Sequence, residues 1–190
     1  MIELPRLRAG AILPQPNWIG IETPRLILRQ WRAADVGDNL TMLGDPLSGR
    51  FITAERKPMT DAMAGWRNAA IMAGHWVLYG FGMFVVEEKA SGRFVGRVGP
   101  FCPPVWPGFE VGWGIASGFR GKGYAVEAAR AAITWSFATF ELDKIVHCID
   151  GENVVSKAVA RRLGAAHEGE AMLLGHPCEL WVTHRKTWAG

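Results

Sequence analysis

The 190-residue sequence predicts one mixed α/β domain, with a central twisted sheet of about seven strands flanked by about four helices. Its composition is 49% hydrophobic and 21% charged, which supplies enough apolar material for a core. Segments with a two-residue period alternate with segments of helical period along the chain. An apolar stretch at residues 143–150 lies between two helical segments, which is typical of a buried strand reached by crossovers.

The predicted element order is β-α-α-β-β-β-α-β-α-β-β. A first strand is expected at residues 26–28, where three apolar residues lie between charged ones, and helices follow at 33–43 and 59–72, the second capped by Thr60. The later elements are strands at 81–88, 93–101 and 110–116, a helix at 122–140, a strand at 143–150, a helix at 153–163, and closing strands at 169–176 and 178–185. Residues 1–20 carry three prolines and no period, so we expect an N-terminal arm there and the domain over residues 21–190.

Bulk properties narrow the classes of function. A net charge of +3 is too small to favour nucleic-acid binding, although a local basic patch could face an anionic ligand. There is no signal-peptide pattern and no apolar run of ~18 residues, so a cytoplasmic location is expected. Cys102, Cys148 and Cys178 form no CxxC pair and are typical of reduced core thiols. The five histidines lack metal-ligand spacing, so no metal is expected.

Residues 109–116 have two different faces. Strand alternation separates the large apolar side chains from an almost bare face. The apolar face holds Phe109, Val111, Trp113 and Ile115, and the bare face holds Glu110, Gly112, Gly114 and Ala116. The glycines fit a bulge or tight packing against a helix, and they equally fit the close approach of a ligand or another backbone.

Glycine and positive charge come directly before the next helix. The stretch is Arg120, Gly121, Lys122, Gly123, Tyr124 and Ala125. A helix start exposes unpaired N–H groups, and glycines let a phosphate approach them, so the stretch could cradle a pyrophosphate. An ordinary strand–helix turn would use the same glycines. Neither the GxxxxGK[ST] pattern of a P-loop nor a dinucleotide-binding fingerprint in its required context is present.

Four segments carry a family resemblance. Residues 120–125 fit the signature Arg or Gln, two residues, Gly, one residue, Gly or Ala, between EVGWGI and GYAVEAA. ETPRLILR at residues 22–29 and NVVS at residues 153–156 add to it. On these segments, over about residues 21–187, the sequence resembles the GNAT N-acetyltransferase superfamily, in the branch that includes ribosomal-protein N-terminal acetyltransferases.

The resemblance implies acetyl-CoA as co-substrate and transfer of its acetyl group to a primary amine, either a protein N-terminus or a small molecule, by direct attack in a ternary complex. The amides of residues 120–125 would hold the pyrophosphate, and the backbone of Val111, Trp113 and Ile115 would pair with the pantetheine arm. Asn153 would bond the pantetheine or only cap a helix. A non-catalytic acyl-CoA sensor and a different acyl or aminoacyl transferase stay open, as does a homodimer through the closing strands.

The chemistry needs a base, an oxyanion donor and a proton for the departing thiolate. Glu110 is the first candidate base, acting through a water, with Glu87 and Glu88 as second choices; a packing role for Glu110 is the alternative. The Trp113 amide is the candidate oxyanion donor. Ser156 is the candidate proton donor to sulfur. Tyr124 is not chosen for this step, because it lies inside the phosphate motif.

The nine tryptophans are numerous for this length. By family analogy, Trp31, Trp66, Trp76 and Trp106 would surround the acceptor pocket or a dimer contact. His75 and Trp76 are expected just before a strand on the acceptor side.

Overall fold

A computed structural model of the protein describes residues 20–189, so the expected N-terminal arm lies outside the described residues except for Gly20. The strands are β1 (Ile21–Glu22), β2 (Leu26–Arg29), β3 (Phe84–Glu88), β4 (Phe94–Phe101), β5 (Glu110–Ile115), β6 (Lys144–Ile149), β7 (Ala166–Leu173) and β8 (His176–His184). The helices are α1 (Asp35–Gly44), α2 (Pro46–Ile52), α3 (Ala62–Tyr79), α4 (Tyr124–Thr139) and α5 (Val154–Arg162). Among these described helices, none combines the length and apolarity that a bilayer span requires.

All the strands belong to one sheet, in the order β1-β2-β3-β4-β5-β6-β8-β7. Neighbouring strands are antiparallel except β5 and β6, which are parallel. Helix α4 makes the crossover between those two strands, as the predicted topology requires. The predicted mixed sheet is confirmed, and the predicted elements occur in their predicted order, with one additional strand and one additional helix.

Helices cover both faces of the sheet. Along β3, Phe84 and Val86 pack into the main core with α4, whereas Val85 packs with Met42 of α1 on the other face. Alanines on the buried side of α4 keep that helix close to β4 and β5. The sheet therefore separates an α4 layer from a layer that contains α1.

Two described elements were not predicted. Strand β1 has two residues, and it pairs Ile21 with Leu28, so it is too short to show a period. Helix α2 begins directly after α1, at a Gly-Asp-Pro sequence that looks like a helix end. Asp45 caps α2, its carboxylate accepting from the Ser48 amide at 2.9 Å, and Pro46 occupies the first turn. An Asp before a Pro is a helix-start signal as well as a breaker.

Helix α3 differs from its prediction at both ends. Its cap is Asp61, which accepts from the Ala64 amide at 2.7 Å, and not Thr60. It continues to Tyr79 and ends at Gly80, which has a left-handed φ of 74°. His75 and Trp76 still precede a strand, β3, but they are buried residues of this helix, because the predicted helix end at residue 72 was wrong.

Candidate functional site

Strands β5 and β6 are joined at one end and part beyond it. Their single Cα pair is Glu110 with Val146, and the Val146 amide donates to the Phe109 carbonyl at 3.0 Å. In an unbroken parallel ladder the Cys148 amide would next donate to the Val111 carbonyl. Instead, Cys148 donates to Glu110 Oε1 at 3.1 Å, and the Val111 carbonyl bonds to His147 Nδ1 at 2.7 Å. Side chains thus satisfy both backbone groups where the strands separate.

The parted strands leave one edge of β5 facing the opening. The carbonyls of Phe109 and Val111 point toward β6, and alternation turns the backbone groups of Trp113 and Ile115 the same way. The Ala116 amide, one residue later, bonds to Val95 on the β4 side. The structure therefore brings together Val111, Trp113 and Ile115, the three residues predicted to bind a cofactor through their backbone.

The bare face of β5 is covered by the protein itself. A Cβ added to Gly114 would lie 2.8 Å from Ile52 Cδ1 of α2. One added to Gly112 would lie 3.5 Å from both Met83 Cε and Glu110 Oε1. Tight packing against a helix, one of the alternatives from the sequence, explains Gly114. The opening is reached along the edge of β5 and not across its glycine face.

The glycine-rich stretch ends at an uncapped helix start. Gly121 and Gly123 have left-handed φ angles of 77° and 80°, and Gly123 is the N-cap of α4 without any side-chain cap bond. The first amides of a helix have no partner within it. A Cβ on Gly121 would meet nothing within 4 Å, so the space in front of the turn is open. This arrangement can bind an anion through backbone N–H groups.

The two cations of this stretch have different surroundings. Arg120 Nη2 contacts Asp45 Oδ1 at 2.5 Å and Ser48 Oγ at 2.6 Å, which holds the pKa of the Asp45 carboxyl below its usual range. The charge of Arg120 is therefore largely offset, and the residue ties the stretch to α2. Lys122 is half-exposed, with Nζ 4.9 Å from the Phe119 ring centre and 4.0 Å from Glu88. Of the two, Lys122 has the freer charge.

Glu110 is a buried carboxylate, 7% exposed. It accepts from the Cys148 amide and from the indole N–H of Trp106, which lies in the loop before β5. Burial raises its pKa from 4.5 to about 7, although both hydrogen bonds oppose the rise. A carboxylate with a pKa near neutrality can both take and release a proton at physiological pH.

The other predicted carboxylates are engaged elsewhere. Glu87 pairs with Arg29 at 2.7 Å. Glu88 accepts from the Tyr124 hydroxyl at 2.6 Å, at the side of the glycine-rich stretch. These contacts leave Glu110 as the carboxylate at the point where β5 and β6 part.

Helix α5 begins beside the opening. Asn153 caps it by accepting from the Ser156 amide at 3.0 Å. The Ser156 hydroxyl accepts from the Trp113 indole at 3.3 Å, so its own hydrogen is free to point elsewhere. Both predicted residues therefore lie at one helix start that is linked to β5.

Sequence reasoning missed His147 and the role of Trp106. His147 is fully buried, and burial lowers its pKa from 6.5 to about 4, so the ring is neutral. Its Nδ1 donates to Val111, and its Nε2 lies 3.0 Å from the Thr183 hydroxyl. The signal was a polar side chain in an otherwise apolar strand, since such a group needs partners. Within residues 20–189, no cluster of His, Cys, Asp and Glu side chains is placed to hold a metal.

An acidic groove lies at the far end of β6. It encloses about 370 Å³. Its lining includes Arg56, Asp150, Glu152, Glu170, Cys178 and Glu179. Glu179 of the groove pairs in register with Ile149, the residue after Cys148, and the Cys148 amide donates to Glu110, so the groove and the opening are neighbours.

Comparisons with known proteins match this architecture. A crystal structure of the acetyltransferase from Agrobacterium tumefaciens str. C58 superposes with a TM-score of 0.77 at 27% identity, covering 94% of this chain and 99% of that one. The sheet order, the parted parallel strands and the crossover helix thus define a GNAT fold. The family model described as "Acetyltransferase (GNAT) domain" matches residues 25–166, about three quarters of the chain. The chain belongs to the GNAT acetyltransferase family.

One curated protein and one further solved structure are also similar to this chain. YkkB, an uncharacterised protein of Bacillus subtilis (strain 168), is 33% identical over 88 residues, which are 45% of this chain and 51% of YkkB. The chain spans about half the length, or less, of the curated relatives it matches. RimL, a ribosomal L7/L12 alpha-N-protein acetyltransferase in complex with coenzyme A, shares the fold with a TM-score of 0.69 at 17% identity, covering 85% of this chain and 95% of RimL.

Proposed function

We propose that the protein is an N-acetyltransferase that moves the acetyl group of acetyl-CoA to a primary amine by direct attack in a ternary complex. One observation carries the proposal: the edge of β5 that β6 leaves uncovered leads to an uncapped, glycine-lined helix start. Along this edge the Val111 carbonyl accepts from His147 and the Ile115 carbonyl accepts from Arg120 Nε at 3.3 Å, so the Trp113 backbone lies between two engaged groups. An open strand edge suits the amides of a pantetheine arm, and helix-start amides suit a pyrophosphate. The donor groups present therefore fit coenzyme A.

Each part of the co-substrate has a proposed set of residues. The backbone of Val111, Trp113 and Ile115 would pair with pantetheine, and Asn153 and Ser156 would face the same arm from α5. The amides around the pyrophosphate would come from Arg120, Gly121, Lys122, Gly123, Tyr124 and Ala125. Arg120 would act mainly by holding this stretch in place through Asp45, since its guanidinium is already engaged there.

The reaction forms a C–N bond and breaks a C–S bond. Glu110 would take the amine proton, directly or through a water, and the Trp113 amide would stabilise the developing oxyanion. The Ser156 hydroxyl would donate a proton to the departing thiolate, because Trp113 occupies one of its acceptor sites and leaves its O–H free. The bond-making step then leaves an amide, coenzyme A, a protonated Glu110 and a Ser156 alkoxide, and a proton passed from Glu110 to Ser156 through solvent would restore both residues.

The proposed acceptor is an α-amine of a protein N-terminus or of a small molecule. An α-amino group has a pKa near ~7.7, close to that of Glu110, whereas a lysine near ~10.4 needs far more help to lose its proton. Three carboxylates of the acidic groove, Asp150, Glu152 and Glu179, already pair with basic side chains. Attraction of such a cation toward the opening would therefore come mainly from Glu170. RimL, an alpha-N-protein acetyltransferase, shares this fold.

One observation favours a second candidate, a non-catalytic acyl-CoA sensor. Both Glu110 oxygens already accept hydrogen bonds, and the side chain is 7% exposed, which is also what a purely structural carboxylate would show. A sensor would bind coenzyme A with the same backbone groups and release no thiol from acetyl-CoA.

The experiment has two stages. Calorimetric titration with coenzyme A tests the binding site, and thiol release from acetyl-CoA with a panel of α-amines and ε-amines tests the chemistry. We expect Glu110→Gln to bind coenzyme A like the wild type and to lose roughly 100-fold in turnover, mainly above pH ~7, where the wild-type Glu110 is deprotonated and can accept a proton. Glu55→Gln, at an exposed position between α2 and α3, is the matched control. Binding without thiol release would favour the sensor, and full turnover by Glu110→Gln would remove Glu110 as the base.

A further inference from the structure

Helix α3 is apolar on its outer side as well as on its buried side. Its buried side contains Gly65, Ala69, Met72, His75 and Trp76. On the outer side, Met63, Trp66, Ile71, Val77 and Leu78 are between 51% and 79% exposed. Together with the small residues Ala70 and Gly74, these five form one stripe at helical spacing, which we call the α3 stripe. Arg67 is the sole Asp, Glu, Lys or Arg in the helix.

A stripe of this size is unusual on a free surface. The exposed area of its five large side chains is roughly 600 Å². Two such stripes together would bury roughly 1,200 Å², which is the lower end of the range for stable specific interfaces. Single exposed apolar residues are ordinary, but five large ones on one helix mark an interaction site.

Gly74 is a second, independent sign. It lies in the interior of α3, where glycine is less favourable than almost any other residue. A Cβ at this position would meet nothing within 4 Å in the chain, so the fold itself does not require glycine there. By contrast, a Cβ on Gly65 of the same helix would lie 2.8 Å from Leu40. Close approach of a partner molecule would account for Gly74.

We propose that the α3 stripe is a homodimer interface in which two α3 helices pack antiparallel about a two-fold axis near Ala70. The stripe is self-complementary: two large side chains lie toward each end, and Ala70, Ile71 and Gly74 lie between them. An axis near Ala70 sets Met63 against the partner's Leu78. It also brings the partner's Trp66 toward Gly74, where the missing side chain leaves room for an indole. Small residues at the crossing let the two helix axes come close.

This location differs from the closing strands suggested by the sequence. In strand β7 the exposed apolar side chain is Met172, and Leu174 follows in the turn to β8. Their neighbours Glu168 and Glu170 are charged and exposed, which does not match a dimer core. The α3 stripe is larger and more continuous, and its one charged residue is Arg67, which is exposed between Met63 and Ile71.

Light scattering on the full-length protein tests the proposal between 1 and 100 µM. We expect the wild type to reach about twice the chain mass of 20.9 kDa, and Gly74→Glu to stay at the chain mass throughout. Gly37→Glu is the matched control, since Gly37 is another exposed helical glycine whose Cβ would meet nothing within 4 Å. The control should dimerise like the wild type.

Two more variants make the result decisive. If circular dichroism shows that Gly74→Glu has lost helix content, Trp66→Ser is tested in its place. The Trp66 indole is 55% exposed, so its removal leaves the core intact. Ala70→Cys should form a disulfide between copies under mild oxidation, which a distant interface would not allow. A wild type that stays monomeric at 100 µM would overturn the proposal, and the stripe would then be the site of some other partner. So would a Gly74→Glu or Trp66→Ser variant that dimerises as tightly as the wild type.

Discussion

Replacing Glu110 with Gln tests the electrostatics of the opening without assuming any reaction. Burial raises the pKa of Glu110 from 4.5 to about 7, so between these pH values the native protein holds a proton that the unfolded chain has released. The free energy of unfolding therefore falls as pH rises through this interval. Since one pKa unit corresponds to ~1.4 kcal/mol, the loss from this one group is about 3 kcal/mol.

His147 contributes a slope of the opposite sign. Burial lowers its pKa from 6.5 to about 4, so in this interval the unfolded chain binds a proton that the native protein does not. Stability from this group therefore rises with pH, again by about 3 kcal/mol, and is complete above pH ~6.5. The two slopes nearly cancel in the wild type between pH ~4.5 and ~6.5. Glu110→Gln removes the fall of stability with pH that Glu110 causes, so the rise caused by His147 becomes measurable.

Urea unfolding of both proteins from pH 4.5 to 8, followed by tryptophan fluorescence, measures the effect. Subtracting the wild-type free energy from that of Glu110→Gln cancels every group the two proteins share, and the difference should grow by about 3 kcal/mol in favour of the variant across this range. The same subtraction for Glu55→Gln should stay flat. A Glu110→Gln difference that changes by less than ~1 kcal/mol would show that Glu110 titrates normally, and the argument for a neutral-pH base would fail.

Three further changes follow from the same contacts. Trp106→Phe removes an indole donor to Glu110 and should move the acidic limb of the thiol-release profile up by about one pH unit; Trp188→Phe, which loses an indole bond to Thr134, should leave it in place. Gly123→Ala puts a Cβ at a left-handed φ of 80° and should cost about 1 kcal/mol in urea unfolding and weaken coenzyme A binding by calorimetry. His147→Leu leaves the Val111 carbonyl and the Thr183 hydroxyl without their ring partner and should cost about 3 kcal/mol in urea unfolding at pH 7.

The sequence predicted the parts of the fold that local patterns determine. Helix α4 and strand β6 were expected because their apolar periods are long and their ends carry glycine or charge. Helix α2 was missed because Asp45-Pro46 can end one helix or start another, and only the Ser48 contact to the Asp45 side chain shows which. Strand β1 was missed because two residues have no measurable period, so its pairing with β2 determines it.

The candidate site was predicted unevenly for a related reason. The backbone edge of Val111, Trp113 and Ile115 follows from alternation within one strand, and the turn at residues 120–125 follows from its glycines. The bonds that span the opening were not predicted, because they connect residues far apart in sequence: Glu110 with Cys148, and Val111 with His147. The separation of β5 from β6 can be recognised only in the three-dimensional structure, where the two strands lie side by side.

Parting of the strands and the unusual pKa of Glu110 have one cause. When β5 and β6 separate, the Cys148 amide loses its ladder partner, and a buried amide needs an acceptor. A carboxylate directly before the gap can supply one, but only by lying in the same low-dielectric space, which raises its pKa toward neutrality. His147 does the same for the Val111 carbonyl, and because it stays neutral it adds no charge beside Glu110. The structural role of Glu110 thus raises its pKa toward neutrality, so holding the opening is compatible with the proposed role of this side chain as a base.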